Sequence, residues 1–308
     1  MKARAGNRRD EGGMTLAEVL VAMVLFGILA AFVVGVVNSV LNLWQAGERR
    51  GRGDLVFAAG IERLRGDLAA LHSGPRGWLL LDDWMAAPEL AGNPAWRLPR
   101  LRFLADGAIA REFDPTGRGA VEVSWLLVPE GAANSRLCRL VRLVQPESAP
   151  RSFREENWIT QLARSGAGLT VMDGVLHAEF RAREDFADEL TRTVHVASYA
   201  PYGFPREIEL RVERVSGGSR RRPPVLDGDL AEDEQSFLVR GSAPFALAEF
   251  ALVDQEWLRV AGTWPRLLAP ERGARGSLPM QHLRGSILWV PEVDAAWAPL
   301  PAAGRRLP

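Results

Sequence analysis

The sequence predicts an α+β fold. A long N-terminal helix, transmembrane in its first part and amphipathic in its second, packs on an antiparallel β-sheet, and an extra β-rich segment follows at the C-terminal end. Three observations carry this expectation. Val19 to Val37 is a run without a charge. Phe57, Ile61, Leu64, Leu68 and Leu71 recur at alternating spacings of four and three. Beyond residue 75, short apolar and polar alternations are punctuated by Gly, Pro, Asn and Asp.

Composition sets the bounds. A chain of 308 residues holds one or two domains, and 47% hydrophobic with 25% charged residues is ordinary for a globular protein. Basic and acidic residues balance at 38 each, so no broad electrostatic attraction to nucleic acid or to an anionic membrane surface is built in. Lys2 is the only lysine, which reads as genome bias. The single cysteine, Cys138, excludes an internal disulfide, a Cys-based zinc site and a C-x-x-C redox pair.

The first element is the apolar run. At 1.5 Å per residue, Val19–Val37 covers about 29 Å, the thickness of a bilayer's hydrocarbon core. It is too long for a cleaved secretory signal, and Asn38-Ser39-Val40-Leu41-Asn42 follows it in place of a small-residue cleavage site. Glu18 stands at its edge. A carboxylate in lipid costs up to ~3 kcal/mol on insertion scales, which the apolar residues outweigh, but an acid so placed calls for a cationic partner. The run offers none.

These residues carry a resemblance. Gly13-Met14-Thr15-Leu16-Ala17-Glu18, followed by VLVAMVLFGILAA, resembles the leader and first helix of type IV prepilins and pseudopilins. The resemblance implies a leader at 1–13, cut by a prepilin peptidase between Gly13 and Met14, and N-methylation of Met14. It implies that Glu18 pairs with the N-terminal amine of a neighbouring subunit during assembly. It also places the N-terminus in the cytoplasm and the bulk of the chain in the periplasm, with one pass through the inner membrane. Charge counting agrees weakly: Lys2, Arg4, Arg8 and Arg9 precede the span, and Arg49, Arg50 and Arg52 follow it. The chain departs from the family in beginning its mature part with Met where Phe is usual. It also carries Gly35 where many major pilins have a kinking proline.

The second element is the amphipathic continuation. The Phe57–Leu71 stripe marks a core-facing helix surface, with Glu62, Arg63, Arg65 and Asp67 assigned to the opposite face. Ser73-Gly74-Pro75 ends it, so the helix is expected from Met14 to about His72, roughly 88 Å if continuous. Gly47, Gly51 and Gly53 predict bending or fraying between its halves.

Strands follow. Val121, Val123, Trp125 and Leu127 alternate with Glu122, Ser124 and Leu126; Val194 and Val196 alternate with Thr193 and His195; Ile208, Leu210 and Val212 alternate with Glu207, Glu209 and Arg211. Further candidates are 78–81, 100–105, 137–145 and 174–182. The globular domain is expected over 73–215. The order of segments from 55 to 215 runs from Ile61-Glu62-Arg63-Leu64-Arg65-Gly66-Asp67-Leu68 through LRFLADG at 101–107, VEVSWLLVP at 121–129, LCRLVRL at 137–143 and MDGVLHAEFRARED at 172–185 to GFPREIELRVE at 203–213, and it resembles minor pseudopilin J of type II secretion systems. That implies a tip subunit of a short pseudopilus, partnered by the major pseudopilin and by minor pseudopilins of the H, I and K types, without enzymatic activity or cofactor.

Residues 216–308 depart from that pattern. Ser216 to Pro224 reads as a linker, and the acidic run Asp227 to Glu234 follows it. Apolar runs at 236–240, 247–253, 257–260 and 286–290 predict a small β-rich lobe or strands added to the main sheet. The acidic run misses calcium-loop spacing, because Ala231 and Glu232 occupy the positions of an acid and the turn glycine. Gly166-Ala167-Gly168 lacks the third glycine of a dinucleotide loop. His72, His177, His195 and His282 stand singly, and no nucleophile elbow or H-E-x-x-H occurs. Arg52-Gly53-Asp54 and Arg65-Gly66-Asp67 repeat a cell-adhesion tripeptide inside a helix, read as chance. Tryptophans such as Trp125, Trp257, Trp264 and Trp289 are expected in the core or at subunit contacts. Two other readings stand beside the pseudopilin: a minor type IV pilin for motility or DNA uptake, and a membrane-anchored envelope enzyme or binding protein acting through 216–308.

Overall fold

A computed structural model describes residues 16–85, 97–113, 119–130, 137–155, 158–159, 161–162, 165–184, 192–194, 197–199, 203–215, 223–241, 247–275 and 277–301. The chain divides into two units, Met1–Arg49 and Arg50–Pro308. The fold is α+β, as the sequence predicts. Helix α1 (Leu16–Ala69) is helical without interruption, so the glycines at 47, 51 and 53 do not fray it. Met14 and Thr15 lie outside the described residues.

Helix α1 ends three residues before the expected His72. The Ala70 and Leu71 N–H groups tighten onto the carbonyls of Asp67 and Leu68, and the His72 N–H then donates to Leu104 O at 2.9 Å. Leu71 thereby forms a bridge with Ala105 and joins the sheet.

The main sheet is assembled from β1 (Leu79–Met85), β2 (Arg97–Ala105), β3 (Val121–Pro129), β4 (Cys138–Pro146), β5 (Leu169–Glu184), β6 (Arg192–Val194), β7 (Ala197–Tyr199) and β8 (Glu207–Val215), with the short helix α2 (Ala108–Phe113) between β2 and β3. Its order is β8-β5-β4-β3-β2-β1-β7, antiparallel throughout, with β6 on β5. Val196 and His195, expected in a strand, lie outside the described residues. One face takes the helix stripe: Ile61, Leu64, Leu68 and Leu71 pack with Leu101, Phe103, Val123, Trp125, Phe180 and Leu210. Burying such side chains contributes about 1.5–3 kcal/mol each.

Strand β3 is buried along nearly its whole length, including the positions read as polar-facing. The segment 147–168 explains this, because Phe153, Ile159 and Trp158 cover the second face over Leu126, Val128, Val141 and Leu143. On β5 and β8 that second face instead carries opposite charges directly across the strands: Glu179 against Arg211, Arg181 against Glu209 and Arg183 against Glu207. Cross-strand pairs of this kind each add a few tenths of a kcal/mol to about 1 kcal/mol.

The C-terminal region realises both sequence expectations. Strands β9 (Val225–Leu226), β10 (Ser236–Arg240), β11 (Phe250–Val253), β12 (Glu256–Thr263), β13 (Arg266–Ala274) and β14 (Leu288–Trp289) form a second sheet in the order β14-β11-β12-β13-β10-β9. Val225 pairs with Ile287, the Leu226 N–H donates to Ser286 O, and the Leu288 N–H donates to Pro224 O. These bonds join the first strand to the last and close a small antiparallel barrel, which removes its free edges. Its interior is filled by Leu226, Phe237, Val239, Val253, Leu258, Val260, Leu267 and Leu288.

The last strand, β15 (Pro291–Pro299), leaves the barrel and pairs with β8 at the margin of the main sheet. Pro291 is the direct partner of Val215, so the whole barrel is inserted at the open end of the β8–β15 hairpin. It rests on the main sheet through Leu252, Trp257 and Ala274 against Leu176 and Val215. Arg275 adds a charged tie, donating to both Glu213 oxygens at 2.7 and 2.6 Å while lying over the rings of Trp257 and Phe250.

Candidate functional site

The first site is the N-terminal segment. Helix α1 starts at Leu16, which puts Glu18 in its first turn. Residues Val19–Leu41 form the stretch long and apolar enough to cross a membrane, with mean hydropathy 3.0 and no part of it buried. Met23, Phe26 and Phe32 are about 70% exposed. The stretch extends four residues past the predicted Val37 because the polar residues there are accommodated within the helix: Ser39 Oγ donates to Gly35 O at 2.9 Å. A helix this apolar and this bare loses about 25 cal/mol for every Å² left in water, and it is consistent with a single membrane anchor.

Residues 8–34 match the model of the prokaryotic N-terminal methylation motif. The chain carries a type IV prepilin-like motif. The matched residues include Gly13, Met14 and Glu18, of which Gly13 and Met14 lie outside the described residues. No curated protein matches the chain. The motif is consistent with processing by a prepilin peptidase and assembly with other pilin-type subunits, and it favours a structural subunit over an enzyme.

A second set of residues fixes the C-terminal part of α1 to the sheet, and here one expectation fails. Asp67 is not on the polar face. It lies three residues after Leu64 and four before Leu71, on the same stripe, and is 3% exposed. Its carboxylate accepts from Arg142 Nε at 2.6 Å, Arg142 Nη2 at 2.8 Å and Trp125 Nε1 at 2.8 Å. Arg65 donates to Trp297 O on β15 at 3.0 Å, and Asp54 accepts from Arg214 Nη2 at 2.7 Å. Arg214 also binds Asp294 at 2.6 Å, and the space beside Gly53 that a Cβ would fill is occupied by its guanidinium. Burial disfavours the Arg214 charge, but its bonds to Asp294 and Asp54 and the field of Glu292 outweigh that and raise its pKa above the ordinary value. Asp54 of the first Arg-Gly-Asp tripeptide and Arg65 and Asp67 of the second are therefore helix-to-sheet attachments. The signal that could have found them is heptad-like spacing: an acid at a core position of a helix demands a buried cation from the facing layer.

Two further clusters complete the survey. A cleft of about 600 Å³ lies among Arg76, Trp78, Glu147, Arg154 and Tyr199. Its buried acid, Glu122, is already engaged by Gln145 Nε2, Ser152 Oγ and the Phe153 N–H. In the barrel, His282 is fully buried between two acids: Nδ1 lies 2.8 Å from Asp254 and Nε2 lies 2.9 Å from Glu256. Glu256 also accepts from Arg272 Nε and Nη2 at 2.7 and 2.9 Å, and from the N–H groups of Gly273 and Met280. Burial alone would raise the Glu256 pKa, but these donors hold it at about 2. For His282 burial works against the charged form, and the bonds to Asp254 and Glu256 prevail and raise its pKa. In sequence His282 stands alone; the barrel brings its partners from residues 254 and 256. Among the described residues no group of three or more His, Cys, Asp or Glu is arranged to hold a metal ion, the acidic run 227–234 included.

Proposed function

We propose that the protein is a minor pseudopilin, a structural subunit in the tip of a type II secretion pseudopilus that supports protein export across the outer membrane. The observation that carries this reading is the methylation motif over residues 8–34, which runs into the bare apolar stretch Val19–Leu41. In it, residues 1–13 are the leader, a prepilin peptidase cuts after Gly13, and Met14 becomes the N-methylated end. Glu18 then meets the amine of a neighbouring Met14, which gives an acid at the edge of the apolar run its cation. The helix anchors the chain in the inner membrane with the N-terminus cytoplasmic, and residues 50–308 project into the periplasm. The partners are the major pseudopilin and minor pseudopilins of the H, I and K types, and the assembly needs no cofactor. The helix-on-sheet architecture of the periplasmic part supports the same reading.

N-terminal mass spectrometry of the protein from its native membrane tests it. The expected mature chain starts at Met14 and carries one methyl group; a chain that keeps Met1 through Gly13 overturns the proposal. Glu18→Ala should leave insertion intact and impair co-purification with the sister subunits and secretion of the cargo. Normal secretion with lost motility or DNA uptake would transfer the protein to a type IV pilus.

A further inference from the structure

The barrel holds its last connection in place partly through a buried histidine set between two carboxylates. Residues 277–287 run from β13 to β14 as a strap without regular strands of its own. Leu230 and His282 exchange backbone bonds at 2.8 and 2.9 Å, which lays the middle of the strap against the segment between β9 and β10. Further backbone bonds tie its end to β9, from the Gly285 N–H to Leu226 O and from the Leu226 N–H to Ser286 O. Side chains attach the rest, and the His282 ring is bound on both nitrogens.

We infer that His282 is a proton-operated clasp: as an imidazolium it fastens the 277–287 strap to the barrel through Asp254 and Glu256, and loss of its proton loosens the strap while the rest of the barrel stays folded. The geometry carries this. An imidazolium has two N–H donors, and each ring nitrogen faces a carboxylate within 2.9 Å. A neutral imidazole has one donor, so one carboxylate is left facing a lone pair.

The charged groups around the ring come from every neighbouring element. Asp254 sits in the β11–β12 turn with positive φ and receives a further bond from the Ser286 hydroxyl of the strap. Glu256 comes from β12 and Arg272 from β13. Arg272 also reaches the carbonyls of Ala231, Glu234 and Met280. Beyond His282, the Arg284 N–H donates to Asp229 and the Arg284 side chain faces Asp227 at 3.4 Å. Two acids against Arg272 and an imidazolium leave the buried cluster neutral. Deprotonation leaves it with an uncompensated negative charge beside the fully buried Glu256 carboxylate.

The sign follows from linkage. A histidine whose folded pKa lies above its ordinary 6.5 stabilises the closed strap fully below that pH. The contribution is lost as pH rises from there through the folded pKa, by up to about tenfold in the closing equilibrium per pH unit, and levels off beyond it. The clasp does not depend on the filament role proposed above.

The test is hydrogen exchange on the full chain in detergent micelles between pH 5.5 and 9, each peptide corrected for its intrinsic rate, with His282 titrated in parallel by NMR. Protection of 277–287 should fall above about 6.5 while protection in β12 and β8 holds. His282→Gln should remove the pH dependence and leave the strap as open at pH 6 as it is in the native chain once His282 has lost its proton. Asp254→Asn changes a half-exposed side chain at the surface of the cluster and decides the matter should His282→Gln fail to fold. It should lower the His282 pKa and move the loss of protection to lower pH. A His282 that titrates at or below 6.5, or a strap whose protection is flat or falls together with β8, overturns the inference.

Discussion

Removing the Asp67 carboxylate tests the attachment of helix to sheet most directly. Asp67 and Arg142 are 3% and 7% exposed, and three donated bonds of 2.6–2.8 Å end on the one carboxylate. Asp67→Ala leaves Arg142 charged in a dry interface and the Trp125 indole N–H without its acceptor. Breaking a buried ion pair from one side costs about 3–5 kcal/mol, which is two to three and a half decades in the folding equilibrium. The pair itself is worth far less than that loss suggests, because both ions were desolvated to make it. Asp67→Leu combined with Arg142→Met should therefore recover most of the stability lost in either single variant. Urea unfolding of the full chain in micelles, followed by tryptophan fluorescence, reads all four states of the cycle. A single-variant loss under about 1 kcal/mol, or a double variant as unstable as the sum of the singles, would refute the reasoning.

Other outcomes follow from particular positions. Gly168, with φ of +94°, has Leu143 Cδ2 at 2.5 Å and Arg142 O at 2.7 Å from where a Cβ would sit; Gly168→Ala should cost about 1–3 kcal/mol in the same unfolding assay. Replacing 216–290 with a short Asn/Gly loop should keep β8 paired with β15, because Val215 and Pro291 are already opposite one another; hydrogen exchange over 207–215 checks it, and wholesale loss of protection there would show that the barrel is required. Glu256 is held at about 2 against an ordinary 4.5, so its contribution to the barrel is complete above pH 4.5 and falls as pH drops toward 2. Circular dichroism against pH should show the barrel melting at lower temperature at pH 2.5 than at pH 5.

What the sequence made legible was local. The uncharged run beginning at Val19 and the Phe57–Leu71 stripe are periodic over many residues, and helix and membrane-span expectations rest on such signals. Strand β8 shows the predicted alternation because one of its faces is packed and the other is polar. Strand β3 hides its layout, since a loop segment covers its second face and makes its polar positions buried too. Strands β13 and β15 contain Pro270 and the bounding Pro291, and proline is a local sign of a break; it is tolerated there at a strand margin and a bulge. Asp67 was misplaced because residue type was weighed above helical position. The barrel's closure and the His282 cluster depend on pairings between residues far apart in sequence, and no local pattern announces them.

The insertion point sets an order of events during folding. If β8 and β15 had to find each other first, the chain between Val215 and Pro291 would close as one long flexible loop, at an entropic cost growing with the logarithm of its length. A barrel that forms earlier from its own nearer contacts delivers both ends to adjacent positions, and the final hairpin then zips as if its connection were short. On that route the main sheet would gain its outermost strand once the inserted module has brought the two ends of the gap together.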